Sequence, residues 1–219
     1  MAEKRVDVGR CLSYGWKTLQ QNLIFHILAG VLFVLVHAAV NILGSLVTVG
    51  LDGVPVVQAL LGLLQVFLSL SLTSCFLLGY FHALSKIDAG ADPELGDLFS
   101  QVDKLAPAVL TSVLYSVLST LGFLCCILPS IVLLPLYPTS LYLVYKGESD
   151  SIRALKKAWA ELRGELVMAI ITMLSLGCVA FLGFLACGVG AVVTLPICYA
   201  GLYKMTTQVF ESTSQGHHS

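Results

Sequence analysis

Two histidines, His26 and His37, stand eleven residues apart in an apolar stretch. That is about three helical turns, so both fall on one face. Gly30, Asn41 and Gly44 lie near the same stripe, and the next apolar stretch carries a second polar line of Gln58, Gly62, Gln65, Ser69 and Thr73. An imidazole flanked by amides at membrane depth can hold a proton or a small polar solute, and ionisable groups there are functional candidates by default. The same residue types also serve helix packing, small residues permitting close approach and amides bonding across the contact. His26, His37, Asn41, Gln58 and Gln65 are therefore the candidate polar intramembrane site, with packing as the reading the residue types favour.

Other chemistry is sparse. Cys125-Cys126 and Cys187 are among seven cysteines. A periplasmic setting would permit a Cys126–Cys187 disulfide, although free cysteine is the commoner state of a small buried hydrophobe. The chain contains no CxxC or HExxH spacing, no Gly-rich phosphate loop and no GxSxG elbow, and its His217-His218 pair lies in the tail. Asp88, Asp92, Glu94, Asp97 and Asp103 crowd one connector without a catalytic partner, which suits solvation and capping. The sequence predicts no enzyme, no cofactor and no metal.

The elements that position these residues follow from composition. Of 219 residues, 57% are hydrophobic and 11% charged, against about 25% charged in a soluble domain; mean hydropathy is +0.89. A membrane helix needs about 20 mostly apolar residues. Several stretches meet that, and six spans are counted: 23–49, 55–84, 107–126, a shorter 130–145, 166–187 and 191–205. The fourth is interrupted by Pro135 and Pro138. The first is too long for a signal-peptide core and lacks a small-residue cleavage site, so it reads as a retained helix. Residues 1–211 form a single membrane domain, and 212–219 a polar, disordered tail.

Charge sets the orientation. All twelve Lys and Arg residues lie in the N-terminal segment, residues 85–106, residues 146–165 and the C-terminal segment, whereas the linkers between spans 1 and 2, 3 and 4, and 5 and 6 carry none. The positive-inside rule makes that face cytoplasmic, with both termini inside. The near-zero net charge gives no support to nucleic-acid binding. No span carries a charge in its interior, so the usual relay of an ion-coupled pump is missing.

An internal repeat is the most specific pattern. LGFLCC at 121–126, LP at 134–135 and LY at 141–142 recur 61 positions later as LGFLAC, LP and LY. Upstream of each copy lies an amphipathic segment. Leu155, Trp159 and Leu162 share a helical face, as do Leu95, Phe99 and Val102, and Leu12, Trp16 and Leu19. Aromatic rings beside Lys and Arg suit the headgroup boundary, so Trp16, Phe99 and Trp159 are expected interfacial anchors. Three units result, at about 5–86, 93–146 and 150–210. The copies are parallel, related by an axis along the membrane normal.

SIRALKKAWAELRG ahead of a span, followed by LGFLAC, LP and a Tyr-rich ending, resembles a bacterial family of uncharacterised six-span integral membrane proteins. That family is related to the membrane domain found beside some glycerophosphodiester phosphodiesterases. The resemblance covers nearly the whole chain and implies an all-helical inner-membrane fold. No catalytic domain accompanies it in this sequence, so it implies no phosphodiesterase activity.

The expected fold is thus all-α and polytopic, with six transmembrane helices as three parallel repeats of amphipathic helix plus helical hairpin. The expected role is a membrane-embedded scaffold or partner subunit with interfacial contacts to membrane lipids, working with a protein partner or as a homo-oligomer. The alternative is a small channel, transporter or lipid-handling protein using the polar interior of spans 1 and 2.

Overall fold

The computed structural model describes residues 6–49, 55–125, 127–185 and 189–215, which form nine α-helices and, among the described residues, no strand. These are α1 (Val8–Gln21), α2 (Leu23–Val49), α3 (Pro55–Asp88), α4 (Leu105–Cys125), α5 (Ile127–Leu133), α6 (Leu136–Tyr145), α7 (Ser151–Leu162), α8 (Leu166–Leu185) and α9 (Val189–Gln215). Among the described residues, five helical segments are long and apolar enough to cross a membrane: Leu23–Val47, Val56–Asp88, Leu95–Leu124, Leu128–Tyr145 and Leu166–Gly183. The protein is all-helical and built of membrane-compatible helices. The sixth expected span lies inside α9, which is not among those five.

The matched prolines act differently. Pro135 has no N–H to continue a helix, and α5 stops at Leu133, with Leu134 N bonding back only three residues to Ile131 O at 3.2 Å. α6 restarts beyond it. Pro196 instead stays within an unbroken α9. Its missing donor leaves the carbonyl four residues back, that of Val192, outside the helical ladder.

α1 and α7 are built alike. Asp7 caps α1 by accepting from Arg10 N at 3.1 Å, and Asp150 caps α7 by accepting from Ile152 N and Arg153 N at 2.9 and 3.1 Å. Asp7, Arg10, Leu12, Trp16 and Leu19 each have the same residue type 143 positions later, at Asp150, Arg153, Leu155, Trp159 and Leu162. Their protein-facing stripes are mostly small: Cys11, Gly15, Thr18 and Leu19 on α1, and Ser151, Ala154, Ala158 and Leu162 on α7. Small residues let backbones approach closely where lipid supplies no hydrophobic drive for helices to associate. The expected apolar faces therefore divide. Leu19 and Leu162 turn inward, while Trp16 and Trp159 remain 52% and 40% exposed.

The middle amphipathic segment is not an α-helix, contrary to expectation. It folds as two 3₁₀ turns, Leu95–Phe99 and Val102–Lys104. Asp97 opens the first turn in a capping box, its carboxylate accepting from Glu94 N at 2.8 Å, and holds Lys86 Nζ at 2.9 Å. Ser100 then closes the turn after three residues, its N and Oγ both donating to Asp97 O at 3.2 and 2.8 Å. Side-chain bonds of this kind compete with helical ones. Leu98, rather than the expected trio, is the fully buried residue, and its backbone lies directly against Gly79 of α3, where no Cβ would fit. Leu95, Phe99 and Val102 stay on the outside.

Packing runs in a closed circuit. α3 lies against the first 3₁₀ turn, α6 against α7, and α9 back against α1. Gln208 of α9 fastens that last contact by accepting from Asp7 N at 3.1 Å and Cys11 Sγ at 3.6 Å. Buried between Asp7 and α9, the Cys11 thiol is pushed up to about 12, first by desolvation and then by the Asp7 charge. At the centre stand Phe81, Tyr142 and Tyr203, each 61 residues from the next. Their rings meet pairwise at 6.0, 5.7 and 5.9 Å, separations at which tilted aromatic pairs attract.

Candidate functional site

The polar residues of α2 and α3 form a ladder between the two helices. His37 Nδ1 lies 3.0 Å from Phe33 O of its own helix, and Nε2 lies 3.0 Å from Thr73 Oγ1 of α3. Phe33 O can only accept, so the ring donates to it through Nδ1, and the Thr73 hydroxyl is shared between Nε2 and Ser69 O, which lies 2.8 Å away. One turn outward, Asn41 Nδ2 donates to His37 O at 2.8 Å and its Oδ1 accepts from Gln65 Nε2 at 3.0 Å. Gly44 makes room for the bridge, because a Cβ there would stand 2.5 Å from Gln65 Oε1. Gln58 is half-buried two turns further along α3.

His26 does not join this ladder. It is fully buried one layer deeper, with Nδ1 2.6 Å from Tyr80 Oη of α3. Tyr80 also reaches Pro196 O of α9 at 3.4 Å. Three helices thus meet at one hydroxyl. His26 Nε2 is enclosed without a hydrogen-bond partner among the described residues. Gly30, one turn on, brings α2 against α9, where a Cβ would sit 2.8 Å from Val192 O.

The arrangement consumes its own polarity. The void beside His37 is about 40 Å³, lined with Phe33, Leu72, Phe76 and Phe99, room for no more than a few waters. A larger cavity of about 220 Å³ next to Gln65 is walled by Val40, Leu43, Val47, Leu61, Leu64 and Leu68 and exposes no polar surface. Beyond Asn41 and Gln65, Ile42, Leu43, Leu46, Leu60, Leu63 and Phe67 point outward as an apolar coat on the α2–α3 pair.

The remaining sequence candidates place as follows. Phe99, like Trp16 and Trp159, keeps half its surface outside, at 53%. Cys126 and Cys187 lie outside the described residues, while Cys11, Cys75, Cys178 and Cys198 are free thiols. No group of three metal-ligating side chains occurs among the described residues. Sequence reasoning missed Tyr80 as the partner of His26. It also missed the extension of the 61-residue spacing to Phe81, which a search one unit further back would have found.

No family model, no curated protein and no solved structure matches the chain.

Proposed function

We propose that this chain is a non-enzymatic, six-span integral membrane protein that acts as a membrane-embedded scaffold or partner subunit. The observation that carries the reading is the closed polar ladder. His37, Thr73, Asn41 and Gln65 spend their hydrogen bonds on one another and on their own helices. They brace a two-helix arm whose outer surface is apolar. Such an arm offers side chains to a neighbouring helix and no wet path to a solute.

The three-unit, parallel arrangement belongs to the same proposal. Its support is the contact among Phe81, Tyr142 and Tyr203 at equal sequence spacing, together with the circuit in which α3, α6 and α9 each lie against the next charged connector. Placement in a bacterial-type cytoplasmic membrane, with both termini inside, rests on the one-sided Lys and Arg distribution. The resemblance to the six-span family related to the phosphodiesterase membrane domain accords with that placement.

Two measurements test the role. Purification in lipid nanodiscs is expected to yield a stoichiometric second chain, identical or different, in mass photometry. A monomer without partner overturns the scaffold. Proton flux into liposomes is expected to be at background and unchanged by His37→Phe; a flux abolished by that substitution establishes the transport alternative instead.

A further inference from the structure

α7 is divided lengthwise. Its small stripe faces the protein. Arg153 and Lys157, one turn apart, both turn to Glu148, with Lys157 Nζ at 2.9 Å from Oε2 and Arg153 at 3.7 Å from Oε1. Ile152, Lys156, Trp159 and Arg163 make the third stripe, at spacing i, i+4, i+7 and i+11, and all four are exposed. Among the described residues no carboxylate pairs with Lys156 or Arg163, although the neighbouring cations are neutralised.

Location makes this order informative. Arg163 is the C-cap of α7, and α8, an apolar candidate span, begins at Leu166. The stripe is therefore tethered within three residues of the membrane boundary. Apolar and aromatic side chains alternating there with two unneutralised cations match an interface with apolar chains below and anionic headgroups above. α1 provides an internal comparison. It shares the Asp cap, the Arg, both Leu residues and the Trp, but carries Ser13 and Gln20 at the positions of Lys156 and Arg163.

We infer that the Ile152–Lys156–Trp159–Arg163 stripe binds anionic phospholipid headgroups, and that α1 contacts lipid without this preference. The inference rests on the proposed placement of the basic connectors at the membrane surface. Each Lys or Arg near an anionic surface strengthens the attraction of its segment to that surface about fivefold.

The two tryptophans allow a direct test. Trp16→Phe leaves Trp159 as the only indole. The variant is reconstituted in phosphatidylcholine vesicles containing 20% phosphatidylglycerol, with bromine on one lipid or the other. Per mole of brominated lipid, phosphatidylglycerol is expected to quench Trp159 at least twice as strongly as phosphatidylcholine. Lys156→Gln with Arg163→Gln is expected to remove the excess, and Trp159→Phe, which reports Trp16, to show none. Equal quenching of Trp159 by both lipids overturns the anionic preference and leaves the boundary placement standing. Absence of quenching by either lipid overturns the placement and the inference together.

Discussion

Gly30 of α2 sits against the main-chain oxygen of Val192, the carbonyl that Pro196 excludes from the α9 ladder. The proline creates an exposed acceptor within the bundle, and the glycine lets a neighbouring backbone cover it. Gly30→Leu is therefore expected to push α2 off α9 and cost about 1–3 kcal/mol, the usual range for overpacking. Thermal unfolding in detergent, followed by loss of monodisperse material, would measure it. Gly62→Leu is the control, because no atom lies within 4 Å of the Cβ it would add, and its melting temperature should stay unchanged.

Tyr80 provides the hydrogen bond that His26 makes through Nδ1. Tyr80→Phe removes it and leaves a fully buried imidazole unpaired, at a cost of about 1–3 kcal/mol. His26→Leu alone strands the tyrosine hydroxyl to a lesser extent, since Pro196 O remains within reach. A double-mutant cycle on unfolding free energy should give a favourable wild-type coupling of about 0.5–3 kcal/mol; additive single effects would show that the contact contributes nothing.

The central ring contact depends on ring volume rather than on hydroxyls. Tyr203→Phe keeps the ring and loses only the hydroxyl's bond to Asp88, at about 0.5–1.5 kcal/mol, whereas Tyr203→Ala opens a hole between Phe81, Tyr142 and Tyr14 and should cost about 3–5 kcal/mol. Detergent unfolding monitored by near-ultraviolet circular dichroism separates the two, since it reads the same aromatic cluster.

Glu148 holds two of the α7 cations, Arg153 and Lys157. Its carboxyl is held below the ordinary value of 4.5, first by the hydrogen bond from Lys157 and then by the nearby Lys157 and Arg153 charges, against some desolvation. A depressed carboxylate stabilises the fold above its unfolded value, and the contribution is lost as pH falls through the folded value. The hold of Glu148 on α7 should thus be constant from pH 8 to 5 and weaken below 4.5. Glu148→Gln should remove that acid-dependent step. Hydrogen exchange of the α7 amides, measured across this range in both proteins, is the check.

Much of the fold was written in hydropathy and charge. The apolar stretches beginning at Leu23, Pro55 and Leu166 start helices at those same residues, because a run of that length in lipid has no other way to satisfy its backbone. The middle amphipathic segment was not legible, since the Leu95, Phe99 and Val102 spacing fits a helix while Ser100 N and Oγ close back on Asp97 O after three residues. Within the candidate site, Asn41 and Gln65 face each other as their stripes imply. His26 and His37 shared a stripe in projection but sit in different layers, because helical periodicity gives direction around an axis and not the identity of the neighbour. Tyr80, far from His26 in sequence, carries no local sign of the partnership.

The bond between Cys11 and Gln208 spans 197 residues. A ribosome adding 5–20 residues per second needs about 10–40 s to make the chain between them. Throughout that interval α1 has emerged while the helix that covers its Cys11–Gly15–Leu19 side has not yet been made. Biogenesis of this protein therefore includes a waiting period, in which its first helix must be sheltered by the insertion machinery or the lipid surface until the last helix arrives.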